Sequence, residues 1–268
     1  QGETPEALFE RAQREWDSGR DEEGTALLRR AAKEGHPAAM HLFGWALANG
    51  RGLLQDLNAG AKWYRRAAEK GNTEAMFSWG FVQELGLGVA QDEAQAVVWH
   101  RRAADRGHAK GMLNLGVMIG KGRGVAKDKT QAGVWFRRSA EKGNREAMYN
   151  LAGVLASGWG TDQDDAQAAL WYRRAAEKGH VKAMFFLGEV LASGRGVPKD
   201  EAEAGDWYSR AAKQGHVKAM LKLGEMLERG LGVPQDKARA LKLYRRAAKS
   251  TDPQLKQAAL DGLQRMGQ

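Results

Sequence analysis

Apolar residues along this chain recur at helical spacing, not at the alternation of a strand. In the stretch from His180 to Gly215, Ala183, Met184, Leu187, Gly188 and Leu191 fall at i, i+1, i+4, i+5 and i+8, which predicts a helix, A, ending near Ser193. Gly194-Arg195-Gly196-Val197 then breaks the pattern, and Pro198 fixes the chain on its way to Asp200. Asp200 predicts the N-cap of a second helix, B, because its carboxylate can accept from backbone amides that lack a partner in the first turn. Helix B places Ala204, Trp207, Tyr208, Ala211 and Ala212 on one face, and Gly215 closes it. Together the two helices make an antiparallel hairpin.

The pattern returns every 36 residues. Gly35, Gly71, Gly107, Gly143, Gly179 and Gly215 each precede His or Asn, and the series Met40 to Met220, Gly50 to Gly230 and Asp56 to Asp236 keep the same step. Tryptophan does so from Trp63 to Trp207, until Leu243 breaks the series. Six tandem copies follow, at 36–71, 72–107, 108–143, 144–179, 180–215 and 216–251. No such hairpin can bury its apolar side alone, so the copies are expected to stack. A glycine inside helix A (Gly44, Gly80, Gly116, Gly188, Gly224, with Ala152 in the fourth copy) costs about 1 kcal/mol against alanine, which predicts close approach of helix B.

The pattern A-M-x-x-L-G-x-x-L-x-x-G-x-G-V-x-x-D-x-x-x-A-x-x-W-Y-x-R-A-A-x-x-G-H resembles the Sel1-like repeat, a relative of the tetratricopeptide repeat lengthened between its helices. Departures are local: Leu53 and Thr161 stand for the loop valine, and Ser209 for an arginine. The resemblance implies an all-α fold, a right-handed α/α superhelical solenoid. Residues 1–35, with Thr4-Pro5-Glu6 as a helix start and a short Gly19-Arg20-Asp21 turn, are expected to form a tetratricopeptide-like capping hairpin. Residues 252–268, entered through Thr251-Asp252-Pro253, are expected to form a capping helix, for fifteen helices in all.

The formal net charge is +9, and arginine pairs recur on helix B at Arg29-Arg30, Arg65-Arg66, Arg101-Arg102, Arg137-Arg138, Arg173-Arg174 and Arg245-Arg246. A nucleic-acid or anionic-surface binder would use such a ladder. Each pair also sits near a helix C-terminus, where cations favour the dipole, so it reads as a solvated structural face, and no nucleic-acid partner is expected. Cysteine is absent, which removes disulfides and thiolate metal sites. His36, His108, His180 and His216 occupy the same turn in different copies, while His41 and His100 stand alone, so neither a metal site nor a convergent catalytic group is expected. Nothing in the sequence calls for a cofactor, and no apolar run of about 18 residues predicts a membrane insertion.

The informative positions lie on helix A. By analogy with tetratricopeptide geometry, the places of Ala38, His41, Trp45 and Ala48 line the concave side, which brings in Glu74, Phe77, Phe81 and Glu84 from the second copy, Tyr149 from the fourth, and Phe185 and Glu189 from the fifth. The column of His41, Phe77, Leu113, Tyr149, Phe185 and Leu221 reads equally as packing. Trp45 and Phe81 escape that reading, because their column otherwise holds Val117, Gly153, Glu189 and Glu225. Large aromatics on an exposed face, with charges around them, suit a protein-binding hot spot.

Sel1-like proteins serve as adaptors, assembly factors and signalling regulators, and in some bacteria as immunity proteins that neutralise a secreted toxic enzyme such as a phospholipase. The resemblance therefore implies a non-enzymatic module gripping a partner protein, in its most specific form a periplasmic immunity or inhibitor protein. A first residue Gln1 in place of Met is expected of either a trimmed chain or a processed exported one, and the alternative to a periplasmic location is a cytoplasmic one. The alternatives are an adaptor or scaffold in the cell envelope and a cell-wall-related hydrolase. The last would need a shifted carboxylate in a deep pocket near Glu74 or Glu84.

Overall fold

The computed structural model describes residues 2–267; Gln1, on which the expectation of processing rests, and Gln268, the end of the C-terminal segment, lie outside them. The described residues form fifteen α-helices and no strand. The chain divides into two compact units, Gln1–Ser139 and Ala140–Gln268. The first holds α1 (Pro5–Asp17), α2 (Asp21–Lys33), α3 (Pro37–Asn49), α4 (Leu57–Glu69), α5 (Thr73–Leu85), α6 (Glu93–Asp105), α7 (Ala109–Lys121) and most of α8 (Lys129–Glu141). The second holds α9 (Arg145–Ser157), α10 (Asp165–Glu177), α11 (Val181–Ser193), α12 (Glu201–Lys213), α13 (Val217–Arg229), α14 (Lys237–Ala247) and α15 (Pro253–Arg265). Within each unit, successive helices pack as hairpins, and each hairpin packs on the next.

Side-chain caps set the helix starts throughout the six repeats. Asp56, Asp92, Asp128, Asp164, Asp200 and Asp236 each accept through Oδ1 from the amide three residues on, at 2.8–3.0 Å. The residue after each inter-repeat glycine caps the A helices in the same way. His36 Nδ1 accepts from the Ala39 amide at 3.0 Å, and Asn72 Oδ1 from the Ala75 amide at 2.8 Å. Imidazole Nδ1 and carboxamide Oδ1 sit the same number of bonds from the backbone, which explains why that position holds His or Asn.

The interior glycine of helix A lets helix B close on it. A Cβ on Gly188 would lie 2.5 Å from the Tyr208 ring, and one on Gly224 would lie 2.8 Å from Tyr244. The second glycine of the A-to-B loop, at Gly52, Gly88, Gly124, Gly196 and Gly232, joins its repeat to the preceding hairpin. Gly88, at φ +71°, rests on the first turn of α4, where a Cβ would meet the Leu57 carbonyl at 2.4 Å.

The tryptophan and arginine series prove to be one structure. Arg66, Arg102, Arg138, Arg174 and Arg210 lie over the rings of Trp63, Trp99, Trp135, Trp171 and Trp207, at 4.4–4.9 Å. Each of these arginines, the second of a pair except at Arg210, which follows Ser209, is therefore held on the indole three residues before it, each contact worth about 0.5–1 kcal/mol at an exposed site.

Candidate functional site

The helix A side chains predicted to line the concave side were the expected site, and the structure divides them into two groups. One column stacks on the cap of the following repeat. In the first unit Phe9 lies on His36 at 4.6 Å and Phe77 on His108 at 4.7 Å. In the second, Tyr149 lies on His180 at 4.6 Å and Phe185 on His216 at 4.8 Å. His41, in the same column, reaches Ser78 Oγ at 3.1 Å, and burial pushes its pKa down. Phe77, Tyr149 and His41 are half-buried, whereas Phe185 is only 7% exposed. Phe185 is thus mainly a packing residue, and the expectation that it stands open to a partner is corrected: its ring packs against His216, Phe186 and Tyr208, with only an edge lining the cleft between α11, α13 and α15.

Glu84 needs the same correction. It is 8% exposed, with Oε2 accepting from His100 Nε2 at 3.2 Å and Oε1 from Arg123 Nη1 at 3.0 Å. The hydrogen bond from His100 and the charge of Arg123 hold its carboxyl below the usual range against the opposing effect of burial. An ionised, enclosed carboxylate is the wrong state for a general acid, so this group gives the hydrolase alternative no support. Glu228, in the same column of the last repeat, turns inward likewise and accepts from Tyr244 Oη at 2.8 Å.

Glu74 stays exposed while its Oε2 accepts from His108 Nε2 at 3.1 Å. Since His108 Nδ1 accepts from the Gly111 amide, the ring proton must be on Nε2, pointing at Glu74. Glu146 and His180 repeat the arrangement at 2.9 Å. Glu189 is half-buried; it accepts from Tyr208 Oη at 2.5 Å and lies 3.4 Å from Lys222 Nζ.

Trp45 and Phe81 form the second group. They are 38% and 39% exposed, at the same place in consecutive A helices, α3 and α5. Trp45 meets Trp16 edge-on at 5.8 Å, and Phe81 lies nearly parallel to Phe77 at 6.2 Å. Each is supported from beneath by an aromatic that is partly or fully buried, so a broad apolar surface faces outward without freedom to collapse. Phe186, 37% exposed and packed on Tyr172 at 5.5 Å, is a third such ring, in the second unit, and was not expected. Its signal was available: the column otherwise holds Leu42, Ser78, Asn114, Asn150 and Lys222. Beside Phe186 an open cleft of about 610 Å³ runs between α11, α13 and α15, with Leu221, Lys218 and Lys222 along it.

Among the described residues no group of three or more His, Cys, Asp or Glu side chains could hold a metal ion, and no helix is long and apolar enough to cross a membrane.

Six segments, residues 37–72, 73–108, 109–144, 145–180, 181–216 and 217–252, match the family model of the Sel1 repeat. No curated protein matches the chain. Among solved structures it is similar to c5321, "a protective antigen present in uropathogenic Escherichia coli strains displaying an SLR fold", at 31% identity and a TM-score of 0.88 over 96% of this chain and 55% of that one. The chain therefore spans about half the length of that protein, 55%. A Sel1 repeat protein from Oxalobacter formigenes is 29% identical, with a TM-score of 0.79 over 91% of this chain and 98% of that one. Immunity protein PA5088 from Pseudomonas aeruginosa is 17% identical, with a TM-score of 0.48 over 87% of this chain and 82% of that one, too distant for its role to be carried over.

Proposed function

The chain belongs to the Sel1 repeat family, a helical-repeat scaffold for protein interaction, and from that premise we propose that it binds a partner protein on the outward face of its A helices, with Trp45 and Phe81 as anchors. The observation that carries this is the exposure of two large aromatics at positions where other repeats hold Val, Gly or Glu. Packing does not require them there, and aromatic anchors on a rigid support contribute most of the energy in protein interfaces. His41, Phe77 and Glu74 border them in the first unit; Tyr149, Phe186 and Glu189 lie on the corresponding face of the second.

In its specific form the reading is an immunity or inhibitor protein acting in the periplasm on a secreted toxic effector, which rests on the resemblance of the repeat pattern to exported bacterial proteins of that kind. A non-catalytic role agrees with the spread of titratable groups over separate repeats and with the ionised state of Glu84. An envelope adaptor would use the same face without blocking a catalytic centre, so inhibition of the bound effector's activity separates the two.

The test is the affinity of a partner isolated with the unaltered chain from native cells. Trp45→Ala with Phe81→Ala should weaken it by about 2 kcal/mol or more, roughly thirty-fold, with helix content unchanged. Unchanged affinity would remove both residues from the site.

A further inference from the structure

The carboxylate that faces a capping histidine is present at two repeats and reversed in charge at a third. Glu74 meets His108 and Glu146 meets His180, each from the second position of the preceding A helix. At His216 that position is Lys182. His216 Nδ1 accepts from the Ala219 amide at 3.2 Å, so its proton is on Nε2, as in the other two. No acceptor for that proton is found among the described residues, and neither Lys182 nor Lys218 has an ion-pair partner among them. The charges of Lys218 and Lys182 reach the ring, adding to burial in pushing the His216 pKa down.

We propose that this corner of the second unit receives an acidic segment of the partner protein, one carboxylate accepting from His216 Nε2–H between Lys182 and Lys218, in the place Glu74 and Glu146 fill elsewhere. The proposal rests on the protein-binding reading above and names the chemistry of the partner. Two independent features support it beyond the unused donor. The chain itself builds the carboxylate–imidazole contact twice, at 3.1 and 2.9 Å, so the geometry is compatible with the repeat. Lys218 also lines the cleft of about 610 Å³, whose floor includes Phe186 and Leu221, so side chains flanking the carboxylate have an apolar bed. Most other charges in the cleft are matched: Glu189 with Lys222, Glu225 with Arg229, and Arg265 with Glu228. Asp261, on α15, accepts from Gln257 and has no cation partner among the described residues, so the unpaired charge is two lysines, Lys182 and Lys218, against that one carboxylate.

The test uses the full chain and a fluorescent peptide of alternating Glu and Leu, its Gln-for-Glu counterpart, and an oligothymidylate of equal length, followed by anisotropy at low ionic strength. The acidic peptide should bind at least tenfold tighter than the Gln peptide and resist competition by the oligothymidylate. Lys182→Glu should cost at least tenfold by supplying the carboxylate from within, and Lys182→Gln should cost less. The His216 imidazole, followed by NMR, should titrate at higher pH in Lys182→Glu than in the unaltered chain. Equal binding of the two peptides, equal competition by oligothymidylate, or an unchanged affinity in Lys182→Glu would overturn the proposal. Trp45→Ala lies in the other unit and should not affect this peptide, so failure here leaves the anchor reading standing, and failure of the anchors leaves this one.

Discussion

Replacing Gly88 by alanine should be several times more costly than replacing Gly86, two residues away in the same loop. Both glycines have φ of +71°. For an L side chain that conformation costs about 1–2 kcal/mol, and loss of freedom in the unfolded chain returns about 0.4–1 kcal/mol, so the shared effect is about 1 kcal/mol. The surroundings then separate them. A Cβ on Gly86 would find Gln91 Cβ at 3.3 Å, a side chain able to yield a little. A Cβ on Gly88 would lie 2.4 Å from the Leu57 carbonyl and 2.7 Å from the Asn58 nitrogen, all backbone of the preceding repeat. Relief requires the loop to lift off α4, and overpacking of that kind adds about 1–3 kcal/mol. Expected losses are thus about 1 kcal/mol for Gly86→Ala and about 2–4 kcal/mol for Gly88→Ala. Urea denaturation followed by circular dichroism would measure them, provided the slopes agree among variants. Amide exchange should show the added loss at the first turn of α4. Equal destabilisation by the two substitutions would refute the claim that the second loop glycine seats one repeat on the next.

Substitutions at two further positions test the caps and the buried pair. His180→Ala should cost more than the cap's value of about 1 kcal/mol, because the stacking on Tyr149 and the hydrogen bond to Glu146 go with it, and His180→Asn, which copies Asn144, should recover the cap alone; thermal unfolding of the three chains checks the order. Glu84 has its pKa lowered in the folded chain, so its contribution is present above the ordinary carboxylate value and is lost as pH falls through the folded one. Acid unfolding below about pH 4.5 should therefore be steeper in the unaltered chain than in Glu84→Gln, and parallel curves would show that the ion pair adds nothing.

The helices and their Asp caps could be read from the sequence because six copies report the same physical requirement, so a chance residue in one does not mislead. The close approach at Gly188 followed from the cost of a glycine inside a helix, and the Tyr208 ring lies against it. Exceptions were harder to see. Glu84 looked like a groove residue because its column mostly holds small side chains; its burial depends on His100, which replaces an aromatic ring on a different helix and supplies a hydrogen-bond partner. Phe185 shared a column with half-buried neighbours, and only the presence of Phe186 and Tyr208 around it decides that it is largely enclosed. Pair effects of this kind cannot be read from one column at a time. The capping role of the His or Asn after each glycine was missed for another reason: histidine is an uncommon cap, and its Nδ1 serves only while unprotonated.

The most direct test of the account is the footprint of the partner, measured as amide hydrogen exchange along the chain with and without it. Binding on the outward A-helix face predicts slowed exchange on α3 and α5, around Trp45 and Phe81, with the arginine-bearing ends of α4 and α6 unaffected. Protection confined to α4 and α6, with α3 and α5 exchanging as in the free chain, would contradict it.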